Sequence, residues 1–410
     1  MARTGSSLER LKSQNTEYIK EIIYKYAPIS RSEIAEMLQL TPPTITTNVA
    51  ALIQKGLVYE CETAPGQEKL HGGHALGRRR ILVDFVPDAR YTLGVAQGYF
   101  GTLLCLVDLR GNVVLERQYE DDIDDYEQMM DAIAERVEAF LEETQVPREK
   151  IAGLGIGLPG FVDGHRGVLR YGAIKKWKDK PVAEDLRRRT GFSCRVENSA
   201  RCCALGEELF SGKLRPETFA YFFISRGLAC PLVIRSRLHA GEMAGAGEVG
   251  HMVVDPSGPV CPTCGNRGCL EGVSSELAIC NRCAQAMQAG VPSLLGAVCA
   301  DPLHPQIEEI LQAQRSSDRL VCSIMEEAVT YLGIMLSNII NFINPSLVIV
   351  DGRIMQEEEN RRLLLQAAHS HLFSIQVEEV EIEFVPYNQF RPARGAAALA
   401  VKKFILQKDR

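Results

Sequence analysis

GEVGHMVVDPSGPVCPTCGNRGCLE, residues 247–271, decides how the rest of the chain is read. It carries one imidazole and three thiols, His251, Cys261, Cys264 and Cys269, in the pattern H-x9-C-x2-C-x4-C. Imidazole and thiolate are the ligands a tetrahedral zinc prefers, and three cysteines with one histidine are a common closed structural set. Gly265 and Gly268 allow the tight reversals that bring three sulfurs together. Free cysteines are the alternative in a chain with thirteen of them. A CxxC with a third Cys behind it and a His ahead of it is nevertheless a metal spacing, so a structural zinc is expected on His251, Cys261, Cys264 and Cys269.

Around this stretch the composition is that of an ordinary globular protein. At 410 residues the chain is long enough for two or three domains, and 46% hydrophobic residues supply sizeable cores. The start, MARTGSSLERLKSQ, is polar and shows no secretory h-region. Thirteen cysteines without such a signal argue for a reducing compartment, and a cytoplasmic location is expected. The most apolar run, Tyr331–Val350, is interrupted by Ser337, Asn338, Asn341, Asn344 and Pro345. It reads as a core helix followed by a strand, not a membrane span. The net charge is −6, yet residues 1–85 carry eleven Lys+Arg against nine Asp+Glu, a balance of +2, which leaves −8 for the rest. A mildly basic N-terminal part is compatible with nucleic acid without proving it.

That part has its own pattern. In NTEYIKEIIYKY, residues 15–26, Tyr18, Ile19, Ile22, Ile23 and Tyr26 recur at helical spacing, and Pro28 ends the run. Ser30 with Glu33 forms a capping box for a second helix. Thr41 is expected to cap a third, whose first turn holds Pro42 and Pro43 and which ends at Gly56. Ile45, Val49, Leu52 and Ile53 make its apolar side. This is a helix-turn-helix, and the start of its last helix would meet base edges in the major groove. Candidate DNA contacts are Ser30, Arg31, Thr41, Thr44, Thr46, Thr47 and Asn48, because hydroxyls and amides hydrogen-bond bases without crowding. Leu57–Glu60 and Arg80–Asp84 read as two strands of a wing, with Arg78 and Arg79 placed to touch phosphate. The alternative is a three-helix packing module that makes dimer contacts.

From Ala89 the chain alternates strands and helices, the order of a layered α/β domain. GEVGH followed by C-x-x-C-G-x-x-G-C-L-E resembles the signature of the ROK family, which contains bacterial sugar kinases and sugar-responsive repressors. SRSEIAEMLQLTPPTITTNVAALIQKGLV also resembles the winged helix of ROK repressors. The likeness runs from about Asn15 to Ala400. The family usually has C-x-C where Cys261-Pro262-Thr263-Cys264 stands here, a one-residue insertion that leaves the ligand count intact. The resemblance implies a two-lobed, actin-like ATPase fold, with the second lobe starting near Arg195 or Asn198. It also implies a sugar pocket at Asn198, Glu248, His251 and Glu271, beside the Gly157–Gly160 loop. Trp177 lies where the family has a flap near the sugar, or is a surface or interface aromatic.

Three departures from the kinases stand out. Their first phosphate turn resembles D-I-G-G-T-K, and here it reads Ala96-Gln97-Gly98-Tyr99-Phe100-Gly101-Thr102. Their second resembles G-T-G-I-G-G-G, and here Ser225-Arg226-Gly227-Leu228-Ala229-Cys230-Pro231 keeps one glycine. Phosphate cradling needs close approach to backbone N–H groups, which side chains obstruct. Their E-N-D-A-N element carries the catalytic Asp, and here Glu197-Asn198-Ser199-Ala200-Arg201 puts Ser199 in its place. A serine without an activator is no general base near neutral pH. Arg170, Lys175, Lys176 and Arg201 lie near these elements in sequence and would favour an anionic ligand.

The expectation is therefore a winged helix-turn-helix over 1–85 and a ROK-type α/β effector-binding and oligomerisation domain over 86–410. The whole is read as a sugar-responsive repressor rather than an enzyme. It would bind operator DNA as a homodimer or dimer of dimers, take a sugar or sugar derivative as effector, and have no membrane partner. The alternatives are an active sugar kinase fused to a DNA-binding module, and a regulator that has lost sugar sensing.

Overall fold

In the computed structural model of the chain the described residues are 4–62, 81–99, 101–373 and 379–407, with side chains from residue 10 onward. Arg78 and Arg79 of the wing, and Phe100 of the first turn, lie outside them. Chain contacts define two compact units, one made of Met1–Leu214 with Phe390–Arg410, the other of Arg215–Gln389.

The first unit begins with α1 (Thr4–Tyr26), β1 (Ile29–Ser30), α2 (Arg31–Leu38), α3 (Pro42–Gln54), β2 (Val58–Glu62) and β3 (Ile81–Phe85). β3 pairs antiparallel with β1 on one side and β2 on the other, so the predicted wing is present. The capping box forms as expected, with Glu33 N–H donating to Ser30 Oγ at 3.3 Å and Ser30 N–H to Glu33 Oε2 at 2.9 Å. Thr41 does occupy the N-cap of α3, but its hydroxyl pairs with Thr44 Oγ1 at 2.9 Å and caps no backbone N–H. Pro43 at the second helical position removes one of the two donors such a cap would serve.

Ile19, Ile23, Ile34, Ile45, Val49 and Phe85 are buried together. The same cluster takes in Leu109, Val401 and Ile405 from far along the chain. Tyr24 Oη donates to the Leu109 carbonyl at 2.6 Å, and Arg110 Nη1 donates to the Tyr24 carbonyl at 2.8 Å and also pairs with Asp84. The winged helix thus shares its apolar core with the α/β part of its unit.

Next come β4 (Tyr91–Gly98), β5 (Gly101–Asp108), β6 (Val113–Tyr119), α4 (Tyr126–Thr144), β7 (Ile151–Leu158), β8 (Gly160–Asp163), β9 (Val168–Gly172), β10 (Lys178–Lys180), α5 (Val182–Thr190), β11 (Cys194–Asn198) and α6 (Ser199–Phe210). The main sheet runs β11-β7-β4-β5-β6. β11 pairs parallel with β7, which ties residues 194–198 to the first unit. The second unit accordingly begins at Arg215 and not near Arg195 or Asn198. Trp177 is not an exposed surface aromatic, and it lines a small pocket with Leu158, Pro159 and Gly172. It is 8% exposed, meets Tyr126 edge-on at 5.4 Å and donates its N–H to the Asp124 carbonyl at 2.8 Å.

The second unit holds β12 (Phe219–Ile224), β13 (Leu228–Ala229), β14 (Leu232–Ile234), β15 (Arg237–His239), α7 (Leu270–Ser274), α8 (Glu276–Gln288), α9 (Leu295–Val298), α10 (Ile307–Arg315), α11 (Arg319–Ile343), β16 (Leu347–Gly352), α12 (Glu358–His369) and β17 (Glu381–Phe384). Its sheet runs β15-β14-β12-β16-β17, with β13 also on β12. α11 has the length and hydropathy to cross a membrane, but 56% of its apolar window is buried, with Leu332, Leu336 and Ile340 in this unit's core. The chain then returns to the first unit as α13 (Arg391–Ala400), continued by a π-helical turn over Val401–Leu406. α13 lies so close to β7 that a Cβ on Gly155 would sit 1.7 Å from the Ala396 carbonyl oxygen, so no larger residue fits there.

Candidate functional site

The face expected to read DNA divides in two. Thr41, Thr46 and Thr47 are exposed along the start of α3, and Thr44 is half-buried. The Thr47 hydroxyl donates to the Pro43 carbonyl at 2.9 Å and keeps its oxygen free to accept. Asn48 departs from the expectation. It is 8% exposed, its Oδ1 accepts from Thr16 Oγ1 at 2.5 Å, and its amide donates to the Thr44 carbonyl at 2.8 Å. Residue 48 falls one turn from Ile45 and Leu52, on the inner side of the helix. Ser30 is likewise buried and spent on its capping box, and Arg31 pairs with Glu60 of β2 at 2.6 Å.

In the second unit, residues 249–269 fold as a series of short reversals. Leu270 N–H donates to the Met252 carbonyl at 2.9 Å, Cys261 N–H to Asn266 at 2.7 Å and Gly265 N–H back to Cys261 at 2.9 Å. Gly265 and Gly268 have φ of 77° and 74°, the left-handed region that glycine enters without penalty. A Cβ on Gly268 would also come 1.7 Å from the Asp255 carbonyl oxygen. These turns bring His251, Cys261, Cys264 and Cys269 together, with all four donor atoms within 4.8 Å of one another. Cys264 Sγ lies 3.5 Å from Cys269 Sγ, and Cys261 Sγ lies 3.9 Å from His251 Nδ1. Sulfurs held about 2.3 Å from a tetrahedral zinc stand about 3.8 Å apart, and the nitrogen edge is slightly shorter. The Cys264–Cys269 and Cys261–His251 edges come close to those of that polyhedron, and Nδ1 is the nitrogen that faces Cys261.

Beside it stands Glu271, also 8% exposed. Its Oε1 accepts from Thr263 Oγ1 at 2.5 Å and its Oε2 from the Leu228 N–H at 3.2 Å. Thr263 lies inside the CxxC loop, where the family usually has a single residue between the cysteines. Leu228 belongs to the turn Ser225–Pro231, and its N–H is taken by the protein's own carboxylate. Glu276 sits on the same turn, where its N–H donates to the Ser225 carbonyl at 3.0 Å and its Oε2 accepts from Ser225 Oγ at 3.4 Å. Its Oε1 is buried without a partner among the described residues. Burial pushes Glu276 up to about 7, against the pull of Arg353 and the Ser225 hydroxyl. Glu248 is half-buried and precedes the short turn Val249–His251. Glu248, His251 and Glu271 thus belong to one unit.

Asn198 belongs to the other. It caps α6, accepting from Ala200 N–H at 3.0 Å and Arg201 N–H at 3.2 Å, and its amide donates to the Gly160 carbonyl at 2.9 Å. Ser199 opens the helix behind it. Arg201 is 1% exposed, meets Glu197 at 2.7 Å and donates to the Val162 carbonyl at 3.0 Å. Arg170 and Lys175 pair with Asp179 and Asp124. Arg201 is therefore not available to an anionic ligand, because the fold has already consumed its charge. Sequence reasoning missed Thr263 and Glu276. The insertion in CxxC was the only signal for the first, and the second reads in sequence as an ordinary first-turn helix acid.

Two kinase-type α/β units, a winged helix and a cluster of one histidine with three cysteines define a regulator-type architecture built on a sugar-kinase scaffold. The ROK family matches residues 92–403, and the MarR family matches residues 21–60. The chain belongs to the ROK family. It is 27% identical over 401 residues to the xylose repressor of Bacillus subtilis (strain 168), covering 96% of this chain and 97% of that one. The crystal structure of a ROK family transcriptional regulator, a homolog of the E. coli MLC protein, superposes with a TM-score of 0.80 at 25% identity, covering 97% of this chain and 98% of that chain. A ROK family glucokinase from Streptomyces griseus, solved with glucose and AMPPNP, superposes with a TM-score of 0.65 at 26% identity, covering 76% of this chain and 100% of the kinase.

Proposed function

We propose that this protein is a sugar-responsive transcriptional repressor whose kinase-derived part senses a sugar and transfers no phosphate. The observation that carries the reading is the Leu228 N–H bond to Glu271. A carboxylate of the chain stands where an incoming phosphate would need that donor. Buried Glu276 on the same turn is a second acidic group, and its ionised form would repel a phosphate. Ser199 in place of the kinases' acidic residue removes the base as well. The likeness to a glucokinase is then a likeness of scaffold, whereas the repressor relatives match this chain over nearly its whole length, winged helix included.

In this reading the exposed hydroxyls of Thr41, Thr46 and Thr47 read base edges, and a dimer or dimer of dimers presents two such helices to half-sites one helical turn apart. Arg78 and Arg79 would add phosphate contacts. Glu248, His251 and Glu271 take sugar hydroxyls, and Asn198 supports the Gly160 loop with one of its two amide N–H groups. His251, Cys261, Cys264 and Cys269 would hold a structural zinc, which fixes the imidazole while its other nitrogen stays available to a hydroxyl. A sugar hydroxyl reaching Glu271 Oε1 would compete with Thr263 there, so sugar binding would pull directly on the metal loop. That gives the ligand different contacts in two states, the condition for it to shift one.

Thermal unfolding of the full chain with neutral sugars, sugar phosphates and ATP tests this. A sugar at 100 times its dissociation constant should stabilise by about 2.7 kcal/mol, with no ATP effect. ATP binding with phosphorylation of the sugar would replace the proposal with the kinase reading. Absence of any sugar shift would favour a regulator that has lost its effector.

A further inference from the structure

The first unit contains a second candidate site, remote in sequence from the sugar residues. An open cavity of about 580 Å3 is walled by Lys20, Lys55 and Arg90, over an apolar floor that includes Leu57, Phe404 and Ile405. Lys20 comes from the middle of α1, Lys55 follows the last turn of α3, and Arg90 leads into β4. Phe404 and Ile405 come from the π-helical turn after α13, an irregularity that often marks a functional position in a helix. Lys20 Nζ donates to the Ile405 carbonyl. Burial holds the Lys20 ammonium down to about 8, and Lys55 presses the same way against the pull of Glu17 and Glu21. Arg90 donates to its neighbour's carbonyl at Ala89. Among the described residues no carboxylate lines the cavity, and neither Lys55 nor Arg90 has an ion-pair partner there.

The acids that act on Lys20, Glu17 and Glu21, lie on its own helix and do not line the cavity, so the three cations on its wall repel each other and are stabilised together by an anion. The volume falls in the range of small-molecule sites. The floor adds a ring face at Phe404, on which the Arg195 guanidinium already lies 5.6 Å from the centroid. We propose that this cavity is a binding site for a small phosphate-bearing metabolite, with the phosphate among Lys20, Lys55 and Arg90 and the body of the molecule over Leu57 and Phe404. DNA is the poorer occupant. Lys55 stands at the opposite end of α3 from Thr41, and a helix of 13 residues is roughly 20 Å long. The walls join α1 and α3 to the start of β4 and to the C-terminal helix. An anion here would clamp the winged helix onto its unit and give the regulator a second input, separate from the sugar residues of the other unit.

The test is calorimetric titration of the full chain with inorganic pyrophosphate at fixed ionic strength, comparing wild type, the double variant Lys55→Glu with Arg90→Glu, and Glu271→Gln. The expected result is saturable binding, weakened at least about tenfold by the charge reversals and unchanged by Glu271→Gln. Both reversed side chains are exposed, so the unliganded thermal midpoint should stay at its wild-type value. The single variant Lys55→Gln should weaken binding by a smaller factor without introducing repulsion, and serves if the double variant is unstable. Binding that tracks ionic strength alone, no saturable binding at millimolar pyrophosphate, or binding lost in Glu271→Gln and kept in the charge variants would each overturn the proposal.

Discussion

The loop 251–269 and the element 197–201 both come from a kinase scaffold, and they treat their polar groups in opposite ways. In the loop, four donor atoms converge at metal-polyhedron distances. In the element, Asn198 caps a helix and Arg201 is buried against Glu197 and Val162. A polar side chain serves a ligand only where the fold has not already satisfied it. The same contrast runs through α3, where exposed Thr46 and Thr47 keep acceptor capacity and buried Asn48 is bonded at both ends.

The largest effect should come from the loop. Stripping metal with a strong chelator, or replacing Cys269 by Ala, should unfold the second unit's loop region and lower the thermal midpoint sharply. Structural zinc in small domains contributes on the order of 10 kcal/mol. An unchanged melting curve and no zinc by elemental analysis would mean that the loop folds without metal. Next is Arg201→Ala, which leaves Glu197 buried without its cation and should cost about 3–5 kcal/mol in denaturant unfolding. A loss under about 1 kcal/mol, the range of an exposed pair, would mean that the fold has not consumed this element, and the contrast with the loop would fail.

Glu276 sharpens the comparison with a pH signature. Its folded-state value is raised to about 7 from an ordinary carboxylate near 4.5. The folded protein then binds more protons than the unfolded chain between those values. Stability falls as pH rises through that window, and the full cost is present above about pH 7. Glu276→Gln should therefore stabilise by on the order of 3 kcal/mol at about pH 8 and far less at about pH 4.5, read by urea unfolding at both. A pH-independent difference would show that the carboxylate is not desolvated in this turn. The smallest effect belongs to Thr263→Ala. It frees Glu271 Oε1 and should tighten sugar binding by about 1 kcal/mol, roughly fivefold, in a direct titration. Weaker binding would make Thr263 a sugar contact instead of a competitor.

Much of this was legible in the chain. The H-x9-C-x2-C-x4-C spacing located the cluster, because ligand types at short intervals leave few other folds for the loop. The capping box at Ser30 and the α3 periodicity located the winged helix. What escaped was set by long-range packing. Asn48 looked like a base reader because an amide in the first turns of a recognition helix is a good one, and only the partner at Thr16, 32 residues away, shows it turned inward. The boundary near Arg195 missed because β11 joins its sheet by pairing with β7, a pairing no local pattern announces. Trp177 had no periodic context, and Tyr126 with the Asp124 carbonyl settled its place. Arg201 read as a free cation because its carboxylate partner's burial is invisible in sequence.

Sugar binding at Glu248, His251 and Glu271 is proposed, and with it control of DNA binding. The direct measurement is affinity of the full-length protein for a DNA site selected from random sequence, titrated with the sugar that stabilises it, in wild type and Glu271→Gln. Sugar should weaken DNA binding of the wild type by about tenfold or more, whereas Glu271→Gln should bind DNA equally well without sugar but no longer respond. DNA affinity that stays constant while the sugar demonstrably binds would contradict this control.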